Sequence, residues 1–447
     1  MNQKANQIDM LHGPLLGKII KFAIPFAASS ILQQLFNTVD VAVVGRFANS
    51  EALAAVGANT FIINLMINLF IGISIGANVI LANHIGQHDD TKIKHAISTT
   101  YSLALISGTI LLALGLLLSD PILKAMGTPR NIIHAATTYL RIYFLSAPFF
   151  MTYNFGAAIL RSRGDTRRPL YILLAAGVLN TILNLILVIV FKMNVAGVAI
   201  ATGIANAFSA AAIIWLLLHE NGAFRLHPSQ PKIYTTELKH ILKIGIPAGL
   251  QGMVFSFSNV FVQTAINSYG SAAIAGASIS QTFDSYCYYL MLAFSGAAVT
   301  FTGQNYGAAK YDRCKHIFWI CFINGALVCF IANMLFITFA DSVLNLFTTD
   351  GNVIKYAKLR MDYVLIFQSI AACYDIPASS MRGFGYSLTP ALLTIIGTCL
   401  LRLTWVTFIC PIWPGFEHLM LCYPISWCLT SILVGCTYIS KWHQSLC

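Results

Sequence analysis

Leu103-Ala104-Leu105-Ile106-Ser107-Gly108-Thr109-Ile110-Leu111-Leu112-Ala113-Leu114-Gly115-Leu116-Leu117-Leu118 contains no charge, and Ser107 and Thr109 are its only hydroxyl residues. As a helix it covers about 24 Å at 1.5 Å per residue. Extended back to Lys94 it is long enough for the roughly 30 Å of a bilayer's hydrocarbon. Runs of this kind recur along the chain. Of its 447 residues 57% are hydrophobic and 10% charged, where a soluble domain carries about 25% charged residues. A water-facing surface cannot be built from so little charge, which excludes a soluble enzyme, a disordered chain and a disulfide scaffold. Ten-residue alternating segments, the mark of a membrane β-barrel, are missing. The expected fold is an all-α polytopic membrane protein with twelve transmembrane helices. The spans fall near 17–44, 53–81, 94–118, 132–160, 169–191, 195–218, 239–267, 273–302, 315–339, 353–381, 389–411 and 418–440.

Charge sets the topology. With the N-terminus inside, the inner segments hold 18 Lys and Arg, from Lys4 to Lys441, and the outer ones 7, Arg360 among them. The net charge of +11 is therefore a matter of orientation, not nucleic-acid binding. The bias predicts both termini in the cytoplasm and a multi-pass protein of the plasma (inner) membrane. His84, His88 and His95 fall beside an inner loop and read as solvated.

The chain also repeats. At a shift of 221 residues Gly86 meets Gly307, Asp120 meets Asp341, Tyr153 meets Tyr374, Arg161 meets Arg382, Gly164 meets Gly385 and Pro169 meets Pro390. Without gaps, 16 of the 84 positions from Gly86 to Pro169 are identical; biased composition alone gives on the order of six. This predicts an N-lobe at 1–218, a cytoplasmic linker at 219–238 with Pro228 and Pro231, and a C-lobe at 239–447. Each lobe has six helices. Six is even, so the lobes are parallel, pseudo-twofold related repeats around a central cleft, the geometry of a transporter and not of an enzyme.

Ionisable groups within spans are functional candidates. Gln33, Asn37 and Asp40 share one face of the first span. Asp40 reads as a carboxylate that takes up a proton or a cation, or else as a hydrated helix-end residue paired with Arg46. Asn180 and Asn184, i and i+4 in the fifth span, and Thr202 in the sixth, offer oxygen ligands and donors without fixed charge. Together with Asp40 they form the candidate coupling site. In the second lobe Asp284, beside Tyr286, Tyr288 and Tyr289, and Asp375, the repeat partner of Asn154, are cleft candidates, and aromatic faces there suit an organic cation. Arg141 and Arg402 are the available counter-ions. With no GxxxxGK[ST], nucleotide does not drive the chain, so transport follows an ion gradient or is passive.

Asn37-Thr38-Val39-Asp40-Val41-Ala42-Val43-Val44-Gly45-Arg46, then Glu51-Ala52-Leu53-Ala54-Ala55-Val56-Gly57, resembles the opening of the multidrug and toxin extrusion (MATE) family. Arg161-Ser162-Arg163-Gly164-Asp165-Thr166 and Met381-Arg382-Gly383-Phe384-Gly385 are similar to its later motifs. The resemblance spans essentially the whole chain. It implies an antiporter that exports organic, often cationic, compounds against proton or sodium influx, with no cofactor beyond that ion and with membrane lipids as surroundings. It also implies that Asp40 is the N-lobe acidic residue and a candidate Na+ ligand, with Asn180 and Thr202 around it. Asn184 stands where some members have aspartate, and Gln251 where another subgroup has an acid. The alternative within the broader superfamily is a flippase for a lipid-linked sugar precursor, which needs a larger cationic cavity.

Overall fold

The computed structural model describes residues 7–48, 50–227 and 231–446. Among them the regular structure is helical. In chain order the helices are α1 (Leu15–Phe47), α2 (Ser50–Gly86), α3 (Asp90–Ala125), α4 (Arg130–Leu145), α5 (Ala147–Ser162), α6 (Arg167–Leu185), α7 (Asn194–Leu218), α8 (Thr235–Asn267) and α9 (Ser271–Gly307). They continue with α10 (Tyr311–Thr338), α11 (Ala340–Leu344), α12 (Gly351–Gln368), α13 (Ala372–Gly383), α14 (Leu388–Thr394), α15 (Leu401–Thr404), α16 (Cys410–Ile412), α17 (Phe416–Met420) and α18 (Cys422–Leu446). Every expected span falls on helix, eight of them on a single rod, and those at 132–160, 353–381, 389–411 and 418–440 on two or three helices in succession. Ten helical stretches are long and apolar enough to cross a bilayer, and α4 with α5 makes an eleventh. Only α9 falls short in apolarity, because Ser, Thr, Gln, Tyr and Asp284 dilute it. Leu117, Val190 and Phe408 are each more than 60% exposed. Large apolar side chains bare on a helical surface fit acyl chains, and the protein is a multi-pass membrane protein.

The rods run beyond the apolar runs because polar helix ends extend past the hydrocarbon. Asp89 caps α3, accepting from the Lys92 amide at 3.0 Å, and Asp350 caps α12 through the Asn352 amide at 2.8 Å. The fourth span is broken. Pro148 brings no N–H, the chain bends by 46° between α4 and α5, and Ser146 closes the turn on the Tyr143 carbonyl at 2.7 Å. Asn206 of α7 braces that turn through the Ser146 hydroxyl at 3.1 Å.

The repeat is visible in local geometry. After α5, Gly164 (φ +90°) donates to Arg161 O and Asp165 N to Leu160 O. After α13, Gly385 (φ +92°) donates to Arg382 O and Tyr386 N to Met381 O. The same helix stop is thus built twice. It needs glycine because a side chain resists this left-handed backbone.

The chain forms two compact units. Unit 1 takes residues up to Asp9 and Ala28–Gly249; unit 2 takes Met10–Ala27 and Leu250–Cys447. The first halves of α1 and α8 therefore each belong to the other half of the sequence. The stretch expected as a linker is not bare. Ala223, Leu226, Glu220 and Glu237 are buried, all within unit 1. His84, expected to be solvated, is buried there too and bonds Glu237 at 2.8 Å. His95 stacks on Tyr234 at 3.7 Å between ring centroids.

Candidate functional site

In unit 1, α1, α6 and α7 bring one carboxylate and three neutral polar side chains together. Asp40 is 7% exposed. Asn184 Nδ2 donates to Asp40 Oδ1 at 2.5 Å and to Asn180 Oδ1 at 3.2 Å. The Thr202 hydroxyl faces Asp40 Oδ2 at 3.2 Å, and Asn180 Nδ2 donates to Thr202 Oγ1 at 3.3 Å. The i, i+4 spacing puts both asparagines on one face of α6. Two residues beyond Asn184 the helix widens into a π-turn, Ile186–Val190, a form common beside functional side chains. All four residues expected at the coupling site are thus assembled, within one unit.

No Lys, Arg or His pairs with Asp40 among the described residues. Arg46, the partner considered from sequence, is exposed. The carboxylate is buried with donors on both oxygens but without a compensating positive charge. Asn184 Oδ1, also buried, has no hydrogen-bond partner. Asp40 Oδ1 and Oδ2, Asn180 Oδ1, Asn184 Oδ1 and Thr202 Oγ1 are the oxygens that fit a small cation, and the carboxylate alone fits a proton. Gln33 is half-buried and Asn37 exposed, and neither joins this network. Sequence reasoning missed Tyr139 and Tyr143 of α4. They stack at 6.2 Å, close enough to Asp40 for its charge to act on both phenols; their i, i+4 spacing was the available signal.

Unit 2 treats its acids differently. Asp284 pairs with Arg360, NH2 to Oδ2 at 2.9 Å, and accepts from Gln368 Nε2 at 2.5 Å. Arg360 also donates to Ser280 at 3.1 Å and lies 5.6 Å from the Tyr423 ring centroid. The count that placed Arg360 outside is corrected by this burial: it sits about two and a half turns into α12, held by its acid. Asp375 Oδ2 accepts from Tyr288 at 3.4 Å and Ser295 at 3.3 Å, and Arg382 lies within electrostatic range. Gln251 does not join Asp375; its Oε1 accepts from Arg382 at 2.6 Å. Asn154 makes a local bond to Phe150 O at 2.9 Å.

The expected counter-ions are not the ones used. Arg141 is exposed. Arg402 is fully buried, but it bonds Asn259 at 3.0 Å and Ser426 at 3.2 Å and lies 4.5 Å from the Tyr423 centroid. It pairs with neither aspartate.

A family profile described as MatE matches residues 25–186 and again 247–406. The chain belongs to the MATE family. The two matches of this MATE chain cover its two repeats. Its members are transporters, and this MATE protein is a transporter and not an enzyme. Probable multidrug resistance protein YoeA of Bacillus subtilis is 28% identical over 390 residues, 84% of this chain and 82% of that one. Multidrug export protein MepA of Staphylococcus aureus is 24% identical over 344 residues, 77% and 76% of the two chains. The fold superposes on a crystal structure of MATE in complex with MaL6 with a TM-score of 0.91 at 20% identity, covering 98% of this chain and 99% of the other. An outward-facing multidrug resistance MATE transporter of the MOP superfamily matches at 0.90, again at 20% identity, with 98% of each chain covered.

Proposed function

We propose that this protein is a secondary active antiporter of the plasma membrane. It exports organic, often cationic, compounds against an inward flow of protons or sodium, by alternating between inward- and outward-open forms. One observation carries the reading: Asp40 is a buried carboxylate whose charge is met by neutral donors alone. A buried charge without an opposite charge is costly, so the site is poised to take up a cation. The relatives named for multidrug resistance and export support the substrate class. With the buried Arg360 set aside, the bias of 18 inner to 6 outer positive residues supports cytoplasmic termini.

The coupling works through packing. While Asp40 is charged, Asn184 and Thr202 hold it, tying α1 to α6 and α7. Once an ion neutralises it, those charge-assisted bonds weaken, each by about 1 kcal/mol or more. The first helix is then free to shift. An ion and a substrate that favour opposite forms lower each other's affinity, as exchange requires. Unit 2 cannot play this part in the same way, since Asp284 is neutralised by Arg360 and Asp375 lies near Arg382. The flippase alternative loses ground for a related reason: Arg360, Arg382 and Arg402 are each engaged by neighbours within unit 2, not free for a pyrophosphate.

The test is transport in vesicles. Purified protein is reconstituted with ethidium, and a pH or a sodium gradient is imposed singly. Wild type moves dye with one of them, which also names the coupling ion. Asp40→Asn is expected to insert and fold but to lose gradient-driven movement. Normal export by that variant, or scrambling of a lipid probe without dye movement, overturns the reading.

A further inference from the structure

Arg141 stands between Tyr139 and Tyr143 on α4. At about 100° per residue it lies on the opposite side of the helix from both. It therefore points away from Asp40, whose charge acts on the two tyrosines. On that side unit 1 is hollowed. Where the chain bends by 46° between α4 and α5, Ile142, Leu145 and Phe149 part from Ile200, Gly203 and Ile204 of α7 and leave a groove of about 250 Å³. The polar group on its floor is satisfied: the Ser146 hydroxyl donates to Tyr143 O and accepts from Asn206. At the rim Leu145, Phe149 and Ile204 are each more than 40% exposed. A Cβ on Gly203 would meet only Ser146 Cβ, at 3.6 Å, so the middle of the groove has room. These helices are long and apolar enough to cross a bilayer, and an open apolar hollow on their outer surface fits aliphatic chain.

At one end of the groove the chemistry changes. Gly203 is level with Ser146. Counting back at 1.5 Å per residue, Arg141 stands about 7.5 Å above that level, and Lys192, just before α7, about 16 Å above it. Helical side chains lean toward the N-terminal end, and long basic ones extend toward the headgroups. Arg141 thus reaches up toward the level of Lys192. Both residues are exposed, and neither has a hydrogen bond or an ion pair among the described residues. Two unpaired positive charges above an apolar groove complement one kind of molecule, an amphiphile with a negative head and an aliphatic tail. A zwitterionic headgroup offers a phosphate too, but it brings its own cation, so this pair of residues favours a net negative one.

We propose that the groove binds one anionic glycerophospholipid, with its phosphate held by Arg141 and Lys192 and one acyl chain laid between α4, α5 and α7. The lipid sits in the leaflet at the end where α4 and α7 begin, and its chain fills the hollow that the break at Ser146 opens. Every group involved belongs to unit 1, and the site needs neither the coupling ion nor the exported compound.

Native mass spectrometry of the full-length protein tests the site without any transport. Phosphatidylglycerol and phosphatidylcholine with identical acyl chains are titrated singly. Wild type is expected to bind its first phosphatidylglycerol at least about tenfold more tightly than phosphatidylcholine. Each basic residue near an anionic lipid contributes roughly fivefold. Arg141→Gln and Lys192→Asn should therefore each weaken phosphatidylglycerol about fivefold and leave phosphatidylcholine within twofold. Asparagine suits position 192 because the backbone there has φ +53°, which asparagine tolerates. Gly203→Leu fills the groove and should weaken both lipids about tenfold. The two charge variants are at exposed positions and keep the test decisive even if the leucine variant melts early. Equal affinity of wild type for the two lipids, or a preference that survives both charge substitutions, overturns the proposal. So does displacement of the lipid by ethidium, which would make the groove a site for the dye. Loss of a dimer instead of a lipid in Gly203→Leu would make it a contact between two copies, and overturns the proposal as well.

Discussion

Thr202→Val removes the hydroxyl that, alone among the described residues, faces Asp40 Oδ2, at 3.2 Å, and keeps the volume. A hydrogen bond to a charged group is worth about 1.5–3 kcal/mol, and at this length the lower figure applies, roughly tenfold in an equilibrium constant. The sign depends on the ion. A proton neutralises Asp40 and has no use for the threonine, so losing the donor destabilises only the empty, charged form. Half-maximal transport then needs roughly tenfold less proton. Sodium uses Thr202 Oγ1 as a ligand, so the loss removes a coordinating oxygen and the sodium concentration for half-maximal export rises instead. The assay is ethidium efflux from vesicles, with the ion titrated on the outer side and the protein amount matched. Half-saturation within twofold of wild type for both ions would refute the reasoning, since Thr202 would then not act on the carboxylate.

Arg360→Met should lower thermal stability in detergent, because stranding the charge of Asp284 in a largely buried site costs about 3 kcal/mol; Asp284→Asn in the same chain should recover much of the loss, and a strictly additive double variant would contradict the pairing. Gly164→Ala should destabilise more than Gly385→Ala in the same melts. Both strain a left-handed backbone, by about 1 kcal/mol, but only at Gly164 does the new Cβ meet Ile8, at 2.9 Å, while Gly385 has open space. Glu220 takes Arg163 at 2.6 Å and Arg168 at 2.5 Å, and this hold on the stretch after α7 should depend on pH in one direction. Burial pushes the carboxylate up, but the two arginines more than offset this and hold it below the usual glutamate range, so its contribution is complete above about pH 4.5 and fades as pH falls through the depressed value. Limited proteolysis should cut 219–238 readily only at that acidic end, and equal cutting at pH 7 would contradict the hold.

Much of this architecture is legible in sequence, for definite reasons. Hydrocarbon demands unbroken apolar runs, and these mark twelve spans. The i, i+4 spacing of Asn180 and Asn184, together with an acid late in the first span, points to the site that α1, α6 and α7 assemble. Pairings between distant residues are not legible. Asp284 finds Arg360 across 76 positions and His84 finds Glu237 across 153. Arg360 counts as an outer charge only while that partner is unseen, and His84 as solvated only while the following stretch is taken to hang free. The only mark of the break at Ser146 in the sequence is Pro148, and the stretch 132–160 has the length of one span, so it reads as unbroken. The exchange of helix halves between the units has no local signature beyond Pro25 and Pro247, since a proline within a membrane helix is common.

The most direct measurement of the central claim is gradient-driven ethidium movement by Asp40→Asn beside wild type, in vesicles holding equal amounts of folded protein. The account predicts that the variant, with an uncharged side chain of the same size, no longer answers either ion gradient while melting at or above the wild-type temperature. Export at the wild-type rate would show that the ion is sensed elsewhere and that the buried carboxylate of unit 1 is not where coupling occurs.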